Sequence, residues 1–155
     1  LIGLESPSRS SLQGIERVTF ADAPLALDTD GGAGAAYRFY RAAFDRTPDL
    51  PGLGYWIGAM DKGLSVQDLA AGFATSNEFK DMYGGASNAD IVNLLYHNVL
   101  HRTPEQAGYD YWLHVLDDKQ ASLPDVLAAF SESGENHDAV ADLIANGILF
   151  TPWQG

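Results

Sequence analysis

The chain contains two copies of one sequence unit, and any fold it adopts must accommodate the same local structure twice. RTPDLPGLGYW at residues 46–56 returns as RTPEQAGYDYW at residues 102–112. Upstream, Tyr40 recurs as Tyr96 and Phe44 as Leu100. Downstream, Asp61, Asp68, Phe73, Ser76 and Glu78 recur as Asp117, Asp125, Phe130, Ser133 and Glu135. Arg46 to Arg102 is an offset of 56 residues and Glu78 to Glu135 an offset of 57, so one insertion falls near Lys119–Gln120. So many identities in register predict two copies of one structural unit, packed on each other.

The apolar spacing within each unit is helical. Tyr37, Tyr40 and Phe44 precede the first Arg-Thr-Pro, and Ile91, Leu94, Leu95 and Val99 precede the second. Thr103–Pro104 with Gln106 reads as a capping box, and Thr47–Pro48 as a weaker version with Leu50 in place of the Gln. Ser65 with Asp68, and Ser122 with Asp125, read as N-caps, as do Ser76 and Ser133. Gly63, Gly84 and Gly147 stand where helix C-termini need a left-handed residue. Each unit should hold three or four short helices. The first 30 residues differ. IERVTF at residues 15–20 and PLALD at residues 24–28 read as two strands joined by a turn at residues 21–23. The expected fold is mainly α, two tandem copies of a multi-helix unit packed together, with a short N-terminal β-hairpin. Residues 1–32 form the strand pair and a flexible junction. Residues 33–155 form the repeat domain, with units at about 36–84 and 91–140 and an extended tail, ILFTPW, expected to pack back beside the strands.

Charge narrows the partners. With 9 Lys and Arg against 21 Asp and Glu, the net charge is −12. Such a chain repels phosphate backbones and anionic membranes, so neither nucleic acid nor membrane insertion is expected. Absence of cysteine excludes disulfides and thiolate-held metals. At 155 residues the chain can bury roughly 70% of its unfolded surface without such staples. The opening LIGLESPSRS reads as the middle of a longer protein.

The region from Tyr37 to about Asn136 resembles domain-of-unknown-function family 4214, whose hallmark is the R-x-P-D-x-x-G-x-x-Y-W unit, present here in tandem with Glu105 in place of the Asp in the second copy. LQGIERVTFADAPLALD resembles the strand pair that closes hemolysin-type (RTX) calcium-binding repeats, and GILFTPW resembles the ends of such proteins. This resemblance implies a non-enzymatic C-terminal module of a secreted bacterial protein, exported by type I secretion. It would serve folding, secretion and attachment to a cell surface or matrix. Calcium is the cofactor it implies, although the glycine-rich repeat G-G-x-G-x-D itself is absent. After Thr103 the only Lys or Arg is Lys119, against nine acids, a balance suited to an uncleaved secretion signal.

Candidate site residues follow from the same reading. Tyr55 and Tyr111, each followed by Trp56 or Trp112, could stack on sugar rings. The tryptophans read mainly as core and the tyrosines as nearer the rim. Asp28 and Asp30 begin like a calcium loop, but Phe39 stands where the loop's bidentate Glu belongs. His97 and His101 share a helix face at zinc-binding spacing, yet Asn98 replaces the Glu a zinc protease needs. Arg46 and Arg102 read as structural, pairing with acids such as Asp61 and Asp117; an anion site is the sharper alternative. No catalytic residues are expected. The alternatives kept open are a carbohydrate- or calcium-dependent binding module and a metal-dependent enzyme.

Overall fold

Residues 32–44, GAGAAYRFYRAAF, place small side chains on most sides of a helix, and that helix becomes the centre of the protein. The computed structural model describes residues 17–19 and 24–154. Among them, helix α1 (Gly32–Phe44) is buried along ten of its thirteen residues. Its alanines allow close approach of neighbours, and Phe39, Tyr40 and Phe44 supply the bulk. Three further helices complete the first unit: α2 (Leu50–Asp61), α3 (Val66–Thr75) and α4 (Asn77–Tyr83). The second unit repeats the order with α5 (Asn88–Leu100), α6 (Gln106–Asp117), α7 (Leu123–Ser131) and α8 (Gly134–Ile144). Four helices per unit agree with the expectation from the repeat.

The two units meet like on like. Helix α3 packs against its own counterpart α7, and α1 against its counterpart α5. The core between them holds Phe39, Leu69, Phe73, Leu95, Leu127 and Phe130, all at most 3% exposed. Burying each such side chain contributes about 1.5–3 kcal/mol. Even the ends of α1 and α5 correspond. Asp45 and His101 occupy the same repeat position, and both close their helices in left-handed conformation at φ 51° and 54°. Asp and His tolerate that region better than most residues. Their side chains face each other, with His101 Nε2 3.8 Å from Asp45 Oδ1.

Strands β1 (Arg17–Thr19) and β2 (Pro24–Ala26) pair antiparallel, with Val18 opposite Leu25. The expected turn at residues 21–23 lies outside the described residues, as do Ile15, Glu16 and Phe20 of the expected first strand. The tail adds a third strand, β3 (Ile148–Leu149), on the far side of β2, with Ala26 opposite Ile148. Ile148 and Phe150 are buried and anchor it to the body.

Several local expectations need correction. The α2 and α6 caps are Asp49 and Glu105, two residues after Thr47 and Thr103. Asp49 accepts a hydrogen bond from the Gly52 amide at 2.7 Å. Glu105 makes no cap bond through its longer side chain, which is drawn to Arg102 at 2.7 Å instead. So the first unit has the stronger cap, the reverse of the expectation. Gln106 does not complete a capping box; its amide donates to Asp110 at 2.8 Å. The left-handed glycine after α4 is Gly85 at φ 88°, since Gly84 stays at φ −66°. Gly63 and Gly147 are left-handed as expected, at φ 103° and 102°. The serine caps Ser65, Ser76, Ser122 and Ser133 all accept from an amide three residues on.

Candidate functional site

Most of the repeated motif is taken up by a clasp that holds each unit closed. Arg46 follows α1 and lays its guanidinium over Tyr40 and Phe44, 5.3 and 5.5 Å from the ring centroids. It also grips Glu78 of α4 through two parallel hydrogen bonds of 2.7 and 2.9 Å. Arg102 repeats this over Tyr96 at 5.1 Å and grips Glu135 of α8 at 2.9 and 3.0 Å. The forked guanidinium matches the carboxylate edge, which a lysine cannot do. The expected partners were Asp61 and Asp117. They instead bind Arg17 and Asn88, while the arginines take Glu78 and Glu135 in the first turns of α4 and α8.

The electrostatics follow the clasp. The Arg46 hydrogen bonds hold the Glu78 carboxyl below its ordinary range, and Arg102 does the same to Glu135. Each arginine is in turn held more firmly protonated by its glutamate. Tyr40, buried beside Asp49, is pushed up to about 12, chiefly by burial. The motif glycine serves the same arrangement. A Cβ on Gly52 would stand 2.1 Å from the Tyr40 hydroxyl, and one on Gly108 2.3 Å from that of Tyr96.

The expected ligand-binding aromatics divide as their helical positions require. Trp56 and Trp112 are half-buried against the core. Trp56 stacks on Phe73 at 5.0 Å and 23°, whereas Trp112 meets Phe130 at 5.1 Å and 49°. Tyr55 and Tyr111 are 41% and 59% exposed. Among the described residues, only Tyr55 of the two gains a ring partner from outside its own unit. Trp153 of the tail meets it edge to face, centroids 5.0 Å apart. Tyr55 and Trp153 flank a hollow of about 270 Å³, with Gly58 and Ala59 also lining it and Lys62 at its edge. The corresponding positions beside Tyr111 carry His114, Val115 and Asp118. There His114 pairs with Asp118 at 2.8 Å.

Trp153 is the site residue that sequence reasoning did not single out. Its membership in an apolar ending was visible, but the ring it would touch lies almost a hundred residues away. One local signal did exist. Gly54 has no glycine counterpart in the second unit, where Asp110 stands. A Cβ on Gly54 would fall 1.7 Å from the Thr151 carbonyl oxygen, so the glycine opens the berth for the tail. The Thr151 amide donates to the Leu50 carbonyl at 3.0 Å and fixes the tail there.

The expected metal residues are placed as follows. One Asp28 carboxylate oxygen binds Arg17, and the other accepts from the Ala33 amide at 3.0 Å, tying the strands to the start of α1. A calcium ion at Asp28 would compete with both. Asp30 is exposed two residues on. His97 is exposed on α5, and His101 faces Asp45 rather than His97. Among the described residues, no three His, Asp or Glu side chains converge as a metal site. Among the described helices, none is long and apolar enough to cross a membrane.

No curated protein and no solved structure matches the chain at a significant level. A family profile matches twice, over residues 36–83 and 70–140, which takes in both clasps and both aromatic pairs. The chain therefore belongs to the family described as domain of unknown function (DUF4214).

Proposed function

We propose that the chain is a non-catalytic attachment module of a secreted, RTX-type protein, and that it binds carbohydrate on the ledge formed by Tyr55, Trp153 and Lys62. The observation that carries this reading is the ledge itself. Two large rings are left about half exposed beside a hollow lined by small residues. Exposed rings with an apolar face and a polar edge are suited to the C–H face of a sugar ring. The glycine and alanine beside them leave room, and Lys62 supplies a donor to hydroxyl or carboxylate oxygens.

The non-catalytic part of the reading is supported by what the motif does. Arg46, Asp49, Gly52 and Trp56 each have a packing or capping duty, as do Arg102, Gly108 and Trp112, while Glu105 bonds Arg102 instead of capping. The exported, calcium-repeat context is supported by the resemblance of the N-terminal strand pair and of the GILFTPW ending, and by the acidic balance of the second half. In that context the module would close the end of a repeat region, carry secretion information, and hold its parent to a surface or matrix.

Calorimetric titration of the full chain with a panel of neutral and acidic oligosaccharides tests the ledge. Saturable binding should weaken about tenfold or more in Tyr55→Ala and in Trp153→Ala, the loss of one stacked ring each. Binding that persists unchanged in both variants, or no saturable binding across the panel, would remove the ledge as the functional surface.

A further inference from the structure

The hollow beside Tyr55 differs in charge from the matching surface of the second repeat. Tyr55, Gly58, Ala59 and Lys62 recur every three or four residues along α2 and its C-cap, so they form one stripe of the helix. Trp153 of the tail joins them around the hollow. In the second unit the same stripe reads Tyr111, His114, Val115 and Asp118. Larger side chains replace the two small ones there, and a carboxylate replaces the ammonium group. Among the described residues, Lys62 is the only charged one that lines the hollow, in a chain that carries 21 acids.

We infer that the ledge selects acidic sugars, a hexuronate whose ring stacks on Tyr55 or Trp153 and whose carboxylate meets Lys62. This rests on the ledge being a carbohydrate site. Lys62 is exposed and, among the described residues, has no ion-pair partner. The neighbouring acid, Asp61, is bonded to Arg17. Carbonyls at the end of a helix repel an anion when they are left bare, but those that end α2 are occupied. The Lys62 amide donates to the Gly58 and Ala59 carbonyls at 3.2 and 3.1 Å, the Leu64 amide to Ala59 at 3.1 Å, and the Gly63 amide to Met60 at 3.0 Å. Tyr55 and Lys62 are seven positions apart, roughly 10 Å along the helix, a span that one sugar and its neighbour cover. Stacking on the rings supplies most of the affinity. An exposed ammonium–carboxylate pair is worth little by itself, so Lys62 sets the preference among sugars that stack. The acids elsewhere on the chain oppose this only weakly, because at physiological salt their fields fall off within about 8 Å. With one ammonium group at the ledge, one carboxylate per ring is the matching charge.

Calorimetry on the full chain at physiological salt tests this with trimers of galacturonate, glucuronate and mannuronate, each beside its methyl ester. The ester keeps the ring and loses only the charge. At least one acid is expected to bind about threefold or more tighter than its ester. Lys62→Gln should erase that difference and leave the ester's affinity unchanged, whereas Lys62→Arg should retain the difference. Lys62→Asp, which carries the charge of the second unit, should reverse it. Tyr55→Ala should weaken acid and ester alike by about tenfold or more. Equal binding of every acid and its ester, or a preference that survives Lys62→Gln, overturns the selectivity and leaves the ledge standing. Acid binding untouched by Tyr55→Ala overturns it too, because the acid then sits elsewhere on the chain. No saturable binding of any acid or ester overturns the acidic-sugar assignment, and neutral oligosaccharides then decide the ledge itself.

Discussion

Arg38 and Arg46 lie two turns apart on or just beyond α1 and show how burial sets the value of an ion pair. Arg38 is 2% exposed and binds Glu132 through 2.9 and 2.7 Å hydrogen bonds, with a third to the Thr29 carbonyl. Replacing Glu132 by Gln leaves a charge buried without its counter-ion. That should cost about 3 kcal/mol in denaturant unfolding. Glu78→Gln breaks the more exposed Arg46 pair and should cost at most about 1 kcal/mol, because water screens it. Comparable losses for the two variants would contradict this ordering. The clasp acids also predict a pH response. Glu78 and Glu135 are held below their ordinary range in the folded protein. Their contribution is therefore present above the unfolded carboxylate value and lost as pH falls through the lowered folded values. Melting temperature should drop between about pH 5 and 3. The double variant Glu78→Gln, Glu135→Gln should drop less over that range, and an identical slope would count against the clasp.

Helix caps and helix glycines carry the next set of consequences. Ser122 and Asp125 satisfy each other's backbone amides in a full capping box at the start of α7. Ser122→Ala should cost about 1 kcal/mol, read as a lower denaturation midpoint with unchanged slope. Gly72 behaves against propensity. On an isolated helix, alanine there would gain about 1 kcal/mol. In this fold the added methyl meets the Trp56 ring at 2.4 Å, so Gly72→Ala should destabilise by about 1–2 kcal/mol and unstack Trp56 from Phe73. A stabilised Gly72→Ala variant would show that the indole can move aside freely. The shift of the α2 and α6 starts belongs to this scale too. Pro48 is buried rather than sitting in a first turn, and the segment from Arg46 to Pro48 runs between helices to bring the arginine over its rings. A proline preceded by threonine is equally at home in an extended link and before a cap, so the local pattern could not decide between them.

At the scale of the molecule, the two units are nearly alike and the tail makes them different. Its strand pairs with β2, its Phe150 enters the core, and its Trp153 reaches Tyr55. Gly54→Ala should push the tail from its berth. The expected result is faster amide exchange at Thr151, a changed Trp153 environment, and loss of binding on the ledge with the helical signal retained. Tail protection unchanged by that substitution would mean that the strand pairing alone holds it. The repeat determined much of this protein from sequence alone. Three or four helices per unit, their serine caps, the helical periods and the two-copy plan all depend on contacts within about four residues or on simple recurrence. The exposure of Tyr55 and Tyr111, one helical position before a half-buried tryptophan, was legible for the same reason. Only tertiary structure decided the rest. Glu78 and Glu135 were visible as repeated residues, but nothing local linked them to arginines more than thirty positions away. Trp153 on Tyr55, Arg38 with Glu132, and Trp112 on Phe130 each join segments that are distant in sequence. Their pairing is set by how the two units pack and where the tail can lie, a choice made by the whole core at once rather than by any stretch of chain.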